Sequence, residues 1–432
     1  MAAEFLISSG SVDITPCRRV MLGGYHKRTA SFTAVAGRLE ANVLLVKGPS
    51  SRVVIVSTDL LYPGETLRAD LIKNLGLGDD GDELFFCASH THFAPMTAPS
   101  MPRLGVVDPE YVQYVATRIT ALIKSIEHQG EASVCNYHEG RANHSMNRRL
   151  VRFRVTRSGL ARSSGLGPNP NGDRDESVRI LEFVKPGGKP SAILWNYACH
   201  PTDFPDFLQV SPEYPGIVRS RLRSEFGDIP ILFLQGFSGD VRPPFSGRSA
   251  GLVGFMRRVL VGPQFRNPLD GEWEKWSNSL ADQVVSFARS IPRSLQIDSL
   301  TTKRVHVPES EFAAGGSGSK SLIWHLVDFG GFRMVGINAE PVVKYRRLLE
   351  KVLSEKPLLT AGCLDQPICY LPTDNMIPER GYEVEGFRTL FDFDARFQDR
   401  LQDAIVRPLQ EALSEPKPSA WKIPIRVHAE AS

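Results

Sequence analysis

The sequence predicts an α/β fold of mixed sheets with flanking helices. Three observations lead there: five short, continuous apolar runs; three amphipathic segments lying among them; and 432 residues at 42% hydrophobic and 23% charged. That is enough material to bury a sizeable core without disulfides or a structural metal. The same composition excludes a disordered chain, a collagen and a coiled coil.

The apolar runs are Asn42–Val46, Val53–Ser57, Leu84–Ala88, Ser191–Ala198 and Ile229–Leu234. Each is continuous enough for a strand buried on both faces. Tyr111–Glu127 repeats apolar residues at three- and four-residue steps, and Pro215–Phe226 and Pro341–Leu353 do likewise. The last two carry proline near the start, where a missing N–H costs least. Alternation of the two patterns argues for α/β layers. The 36 glycines and 31 prolines concentrate in 163–175, 243–248 and 313–320, which predicts long loops there. The stretch 313–320 superficially resembles a phosphate-binding loop, but Ser319 stands where that motif needs glycine before the lysine, so no nucleotide is expected. There is no 20–50-residue repeat and no isolated linker. Length alone would suggest about three domains, yet these signals favour one large domain with a smaller C-terminal layer.

Lys and Arg number 51 against 48 Asp and Glu, a net charge of +3. Spread over this length, that gives no footprint for a nucleic acid or an anionic membrane, and small molecules become the expected ligands. Cys17, Cys87, Cys135, Cys199, Cys363 and Cys369 are scattered with no CxxC pair and read as reduced thiols. The first residues lack the basic start and long apolar run of a signal peptide, and no apolar stretch reaches 18 residues. The expected compartment is the cytoplasm.

Four strand ends carry residues with chemical potential. Ser89-His90-Thr91-His92-Phe93-Ala94-Pro95 follows the run Leu84–Ala88. In a continuing extended chain His90 and His92 share a face and can converge on one metal ion or its water; the plain alternative is two internally bonded histidines. His200 ends the second such run, before Pro201, with Cys199 on the opposite side. Gln235-Gly236-Phe237-Ser238-Gly239-Asp240-Val241 follows the third; its glycines would let backbone approach a ligand and Asp240 could orient a histidine or water, although a simple Gly-Asp turn has the same sequence. Ser238 is not in a GxSxG context. Glu340 closes the apolar run Phe332–Ala339 and could bind a metal, act as a base or cap the helix that follows. Tyr370 lies in Cys369-Tyr370-Leu371-Pro372-Thr373, where core or rim is the ordinary role of a tyrosine.

Together these segments resemble the neutral/alkaline (non-lysosomal) ceramidase family, specifically its N-terminal catalytic domain and the shorter bacterial proteins that share it. The resemblance is carried in order by Val12-Asp13-Ile14-Thr15-Pro16, Leu22-Gly23-Gly24-Tyr25, Asp59, the Ser89–Pro95 segment, Asn147-Arg148-Arg149 and Gly167-Pro168-Asn169-Pro170. It continues through Asn196–Pro201, Tyr214-Pro215-Gly216, Gln235–Val241, Glu340 and Tyr370. It spans residues 10 to 390, leaving 391–432 as a C-terminal helix and tail. The resemblance implies one large zinc-hydrolase-like catalytic domain over 1–432 and one zinc per chain. Its ligands would be His90, His200, Glu340 and Tyr370, with a further position left to water or substrate; which of His90 and His92 binds directly stays open. It implies that His92 passes a proton to the leaving amine, that Tyr370 and Arg148 steady the oxyanion, and that Asp240 and Asp59 orient their neighbours.

The implied activity is zinc-dependent cleavage of the amide bond of an N-acyl substrate, ceramide or another lipid-like amide. A metal-dependent esterase or lactonase, or a non-catalytic metal- or ligand-binding protein, are the alternatives, and a homo-oligomer is allowed. Departures from the family pattern are the missing immunoglobulin-like C-terminal domain and secretion signal, Pro372, the segment Phe255–Val261, and Arg242 where the long members tend to have serine. Arg242 and Arg248, if they line the pocket, would favour an anionic group on the substrate.

Overall fold

The computed structural model describes residues 5–78, 82–156, 159–247, 262–353 and 356–414. Arg248, the segment Phe255–Val261 and the tail beyond residue 414 lie outside the described residues.

Three sheets carry the fold. The N-terminal sheet runs, in spatial order, Asp82–Ala88, Arg52–Thr58, Glu40–Lys47, Leu6–Asp13 and Glu131–Ala132. The central sheet runs Ile231–Gln235, Pro190–Tyr197, Ser177–Val184, Val134–Arg141 and Arg293–Leu295. The C-terminal sheet runs Ile297–Pro308, Ser321–Gly330, Arg333–Ile337 and Leu358–Ala361. Each is antiparallel except at one edge, where a strand–helix–strand crossover adds a parallel strand. The helices Glu65–Leu75, Glu213–Phe226 and Lys344–Leu353 make these crossovers. Parallel neighbours require such a crossover, and its two strands point their carboxyl ends the same way.

Alternation along the strands explains why their sequences are continuously apolar. Leu44 and Val46 join Val53, Ile55 and Phe85 in a core shared with Leu194, Leu232 and Leu234 of the central sheet and Val327, Met334 and Leu359 of the C-terminal sheet. Val43, Leu45, Val54 and Val56 point the other way, onto the helices Glu65–Leu75 and Pro109–Ile126. The three sheets therefore meet face to face, and helices cover their outer faces. Burying each such side chain stabilises by about 1.5–3 kcal/mol. The helix Pro109–Ile126 begins as its sequence demands, with Pro109 in the first turn and the Asp108 carboxylate accepting from Glu110 N–H and Tyr111 N–H at 3.0 and 3.2 Å. Among the described residues no helix is long and apolar enough to cross a membrane.

Two expectations are corrected. The helix expected over Pro341–Leu353 starts at Lys344, because Glu340-Pro341 pairs with Tyr370-Leu371 and the N–H groups of Val342 and Val343 are taken by Leu371 O and Asp240 Oδ1. The glycine-rich stretch expected as a loop from residue 163 is largely strand: Gly159–Asn169 pairs with Met146–Thr156, with a register shift beside Arg149. Gly159–Asn169 is rich in glycine and serine and shows neither apolar period.

Candidate metal centre

All three crossovers deliver their carboxyl-terminal strand ends to one place. His90 follows Asp82–Ala88, His200 follows Pro190–Tyr197, and Glu340 follows Arg333–Ile337. Tyr370 follows Leu358–Ala361 and is held beside Glu340 by the short parallel pairing. Carboxyl ends of parallel strands are where sites assemble in α/β folds.

The nearest ligand atoms of His90, His200 and Glu340 lie within 4.8 Å of one another, and all three residues are buried. His200 Nε2 is 3.2 Å and His90 Nε2 3.6 Å from Glu340 Oε2. The Tyr370 hydroxyl is 3.5 Å from His200 Nε2. Each imidazole is fixed from behind: His90 Nδ1 lies 3.0 Å from Leu61 O, and His200 Nδ1 lies 2.7 Å from Ser238 O and 3.1 Å from Val241 O. These contacts place the proton on Nδ1 and leave the Nε2 lone pairs facing the carboxylate. His90 Nε2 has no hydrogen-bond partner among the described residues. Burial first, and His200 after it, brings the His90 imidazole down to about 4, so it is neutral. Burial pushes Glu340 upward, but His90, His200 and Tyr370 outweigh it and hold the carboxyl at about 2. Two imidazoles with their Nδ1 sides already bonded, a carboxylate and a phenol are a donor set that fits a borderline divalent ion such as zinc.

His90 and His92 come together differently from the expectation. The strand does not continue: His90 has φ 66°, a left-handed conformation, and its ring stands nearly perpendicular to that of His92 with centroids 5.0 Å apart. Of the two, His90 is the one that faces Glu340. His92 lines the adjoining cleft, and neither of its ring nitrogens has a partner among the described residues. Burial, with the neighbouring His90 and His200, holds its imidazole well below the usual range. A Cβ on Gly24 would sit 2.6 Å from the His92 ring, and that glycine has φ +97°, so no other residue fits there without displacing the ring.

The cleft measures about 1170 Å³ and opens from His92, His200, Arg148 and Tyr370 to the surface. Arg148 is buried, donates to Glu383 Oε1 at 2.9 Å and Gly239 O at 2.7 Å, and lies 5.6 Å from the Tyr370 ring centroid. It is a fixed cation in the cleft wall rather than a surface salt bridge. Cys199 packs into the outer core of the central sheet, away from the cleft.

Other expected roles shift. Asp240 does not orient a histidine: its oxygens accept from Val343 N–H at 2.8 Å and Asn147 Nδ2 at 2.9 Å, tying the segment after Glu340 to the strand carrying Arg148. Asp59 lies with Arg219 and Glu40 N–H, both at 2.8 Å, in a separate buried cluster. Gly239 brings backbone close to backbone rather than to a ligand, since a Cβ there would lie 2.6 Å from Glu340 O. Arg242 does line the cleft, but its guanidinium is paired with buried Asp203. Sequence reading missed Tyr62, which donates to Glu340 Oε1 at 2.5 Å. Its signal was its place just past Arg52–Thr58, the same strand-end rule that singled out the histidines.

Comparison with solved structures gives a fold. A crystal structure of neutral ceramidase from Pseudomonas aeruginosa superposes with a TM-score of 0.70 at 15% identity, covering 95% of this chain and 75% of that one. A structure described as ceramidase complexed with C2 gives the same TM-score and identity, over 98% of this chain and 77% of that one. The chain has the ceramidase fold. No family model and no curated protein sequence matches it. In this chain His90, His200 and Glu340 form a buried group able to hold a metal.

Proposed function

We propose that this single catalytic domain is a zinc-dependent hydrolase that cleaves the amide bond of an N-acyl substrate. The observation that carries the proposal is the convergence of His90 Nε2, His200 Nε2 and Glu340 Oε2 beside an open cleft, in a ceramidase fold.

Amide hydrolysis adds water across the C–N bond, with hydroxyl going to the acyl carbon and a proton to nitrogen. A zinc ion held by His90, His200, Glu340 and Tyr370 would polarise the scissile carbonyl and acidify water. His92, neutral and with an unpartnered ring on the cleft wall, is the residue to take the proton that the attacking water loses and hand it to the departing amine. Tyr370, whose phenol is held well above its usual range by burial and by Glu340, stays protonated in the absence of metal and faces the cleft. Arg148 cannot lose its proton, and its two bonds to Glu383 and Gly239 hold it in place to balance charge growing on the carbonyl oxygen. Asp240 and Tyr62 are positioning residues: one fixes the backbone after Glu340, the other the carboxylate itself.

The test is metal analysis of purified protein together with hydrolysis of a matched panel of N-acyl amides and esters. One zinc per chain and turnover of amides, both lost in His90→Ala and His200→Ala, is the expected result. Zinc binding with no turnover of any acyl amide would leave a metal-binding protein; turnover of esters alone would move the chemistry to ester hydrolysis.

A further inference from the structure

The cleft around the metal group is ringed by cations, and they are not all balanced. Arg148 is answered by Glu383, and Arg242 by Asp203. Lys27 and Arg103 also line the cleft; both are exposed, and neither has a hydrogen-bond or ion-pair partner among the described residues. The acidic side chain in the cleft lining is Asp203, already engaged by Arg242. Lys27 and Arg103 therefore leave an uncompensated positive mouth.

Their position says which part of a substrate they would meet. Gly24 packs on the His92 ring and its N–H donates to Leu104 O at 2.8 Å, which draws the loops bearing Lys27 and Arg103 to the His92 side of the cleft. Arg28, next to Lys27, strengthens the arrangement: its Nη1 donates to His92 O and Gly23 O at 2.9 and 2.6 Å. If His92 delivers the proton to the amine, the fragment lying nearest Lys27 and Arg103 is the amine.

Resting on the proposed amide hydrolysis, we infer that the substrate is an N-acyl amino acid or a close analogue, whose amine fragment carries an anionic group held by Lys27 and Arg103. Apolar cleft residues such as Leu390 suit the acyl chain, whereas a neutral amino alcohol leaves both cations without a partner. Both cations are exposed, so their attraction for an anionic group is one that added salt screens.

The experiment compares N-octanoylglycine, N-octanoylethanolamine and an ethanolamide whose carboxylate sits at the far end of the acyl chain, using the metal-loaded protein. Expected is a kcat/KM for N-octanoylglycine on the order of tenfold above both others, a ratio that shrinks with added salt and collapses in Lys27→Gln/Arg103→Gln. Equal rates on glycine and ethanolamine amides, or a ratio unchanged in the double variant, overturns the inference and leaves amide hydrolysis standing. A preference for the acyl-end carboxylate also overturns it. Calorimetric binding of the corresponding ketones, in which CH2 replaces the amide NH, reads the same preference without turnover. Tighter binding of the ketone acid with no hydrolysis of any amide would sink the proposed activity and keep the anion site, while equal binding would sink the anion site.

Discussion

Tyr62 donates its phenolic proton to Glu340 Oε1 at 2.5 Å, so the carboxylate turns its other oxygen to His90 and His200. The two residues come from different sheets, and the bond fixes the orientation of the one anionic group in the cluster. Tyr62→Phe keeps the ring and removes the bond. Zinc affinity should fall by about 10–100-fold, as it does when such supporting partners are lost elsewhere, with the far-ultraviolet spectrum unchanged. Competition with a chromophoric chelator measures it, and an unchanged affinity would show that His90 and His200 alone orient the carboxylate.

Gly24→Ala places a methyl group where the His92 ring stands, at a backbone angle that alanine rarely adopts. His90, His200 and Glu340 are not touched by it. The variant should bind a full complement of zinc and lose amide turnover by at least about tenfold, since a misplaced proton donor forfeits most of a general acid's contribution. Loss of metal along with activity would show that the displaced His92 ring carries His90 with it, their centroids being 5.0 Å apart.

Asp240→Asn should destabilise by about 1–3 kcal/mol in denaturant unfolding, because an amide can offer acceptors to only one of Val343 N–H and Asn147 Nδ2 while the other meets an NH2. Activity should fall alongside, through displacement of the segment carrying Glu340.

His325 is buried between Glu83 at 2.7 Å and Asp365 at 3.0 Å, with Arg304 and Arg68 on the far oxygens of the two carboxylates. Burial lowers its pKa, but Asp365 and Glu83 outweigh burial and raise it to about 9. The folded state therefore holds the proton more tightly than the unfolded chain. This contribution is complete below pH about 6.5 and is lost as pH rises through about 9, worth roughly 3 kcal/mol at most. Urea midpoints of the native protein between pH 6 and 10 should decline across that window more steeply than those of His325→Gln. Parallel curves would show that the network is not charged.

Chelation should lower the thermal midpoint and zinc should restore it, because a ligand that binds only the folded chain stabilises by about 2.7 kcal/mol at a hundredfold excess over its dissociation constant. Glu340→Gln should abolish most of the difference, and a midpoint indifferent to both chelator and zinc would argue against a metal at this cluster.

The sequence made the strand ends legible because the runs before them are apolar on both faces, and both faces are indeed covered: Leu44 and Val46 by the shared core, Val43 and Leu45 by helices. Placing chemistry at those ends singled out His90, His92, His200, Asp240 and Glu340 as candidates, while a ligand set of His90, His200, Glu340 and Tyr370 was only what the resemblance implies. What stayed hidden depends on contacts between distant segments. The start of the helix at Lys344 is set by Asp240 and Leu371, not by its own periodicity. The left-handed turn at His90 leaves no mark in composition, and the roles expected for Asp240 and Asp59 were plausible for any buried aspartate until their partners were known. Zinc, substrate and proton transfer belong to the proposal, which the residues support through chemistry rather than through periodicity.

Glu340 meets His200 from 140 positions further along the chain, and Tyr370 from 170. Local pairing alone cannot bring such groups together; each sheet must form and the three must dock first. Closing loops of that length costs entropy that only the shared apolar core can offset. The group of His90, His200, Glu340 and Tyr370 is consequently complete only when the three sheets are docked. Metal occupancy should thus report on the docking of the three sheets, which share one core.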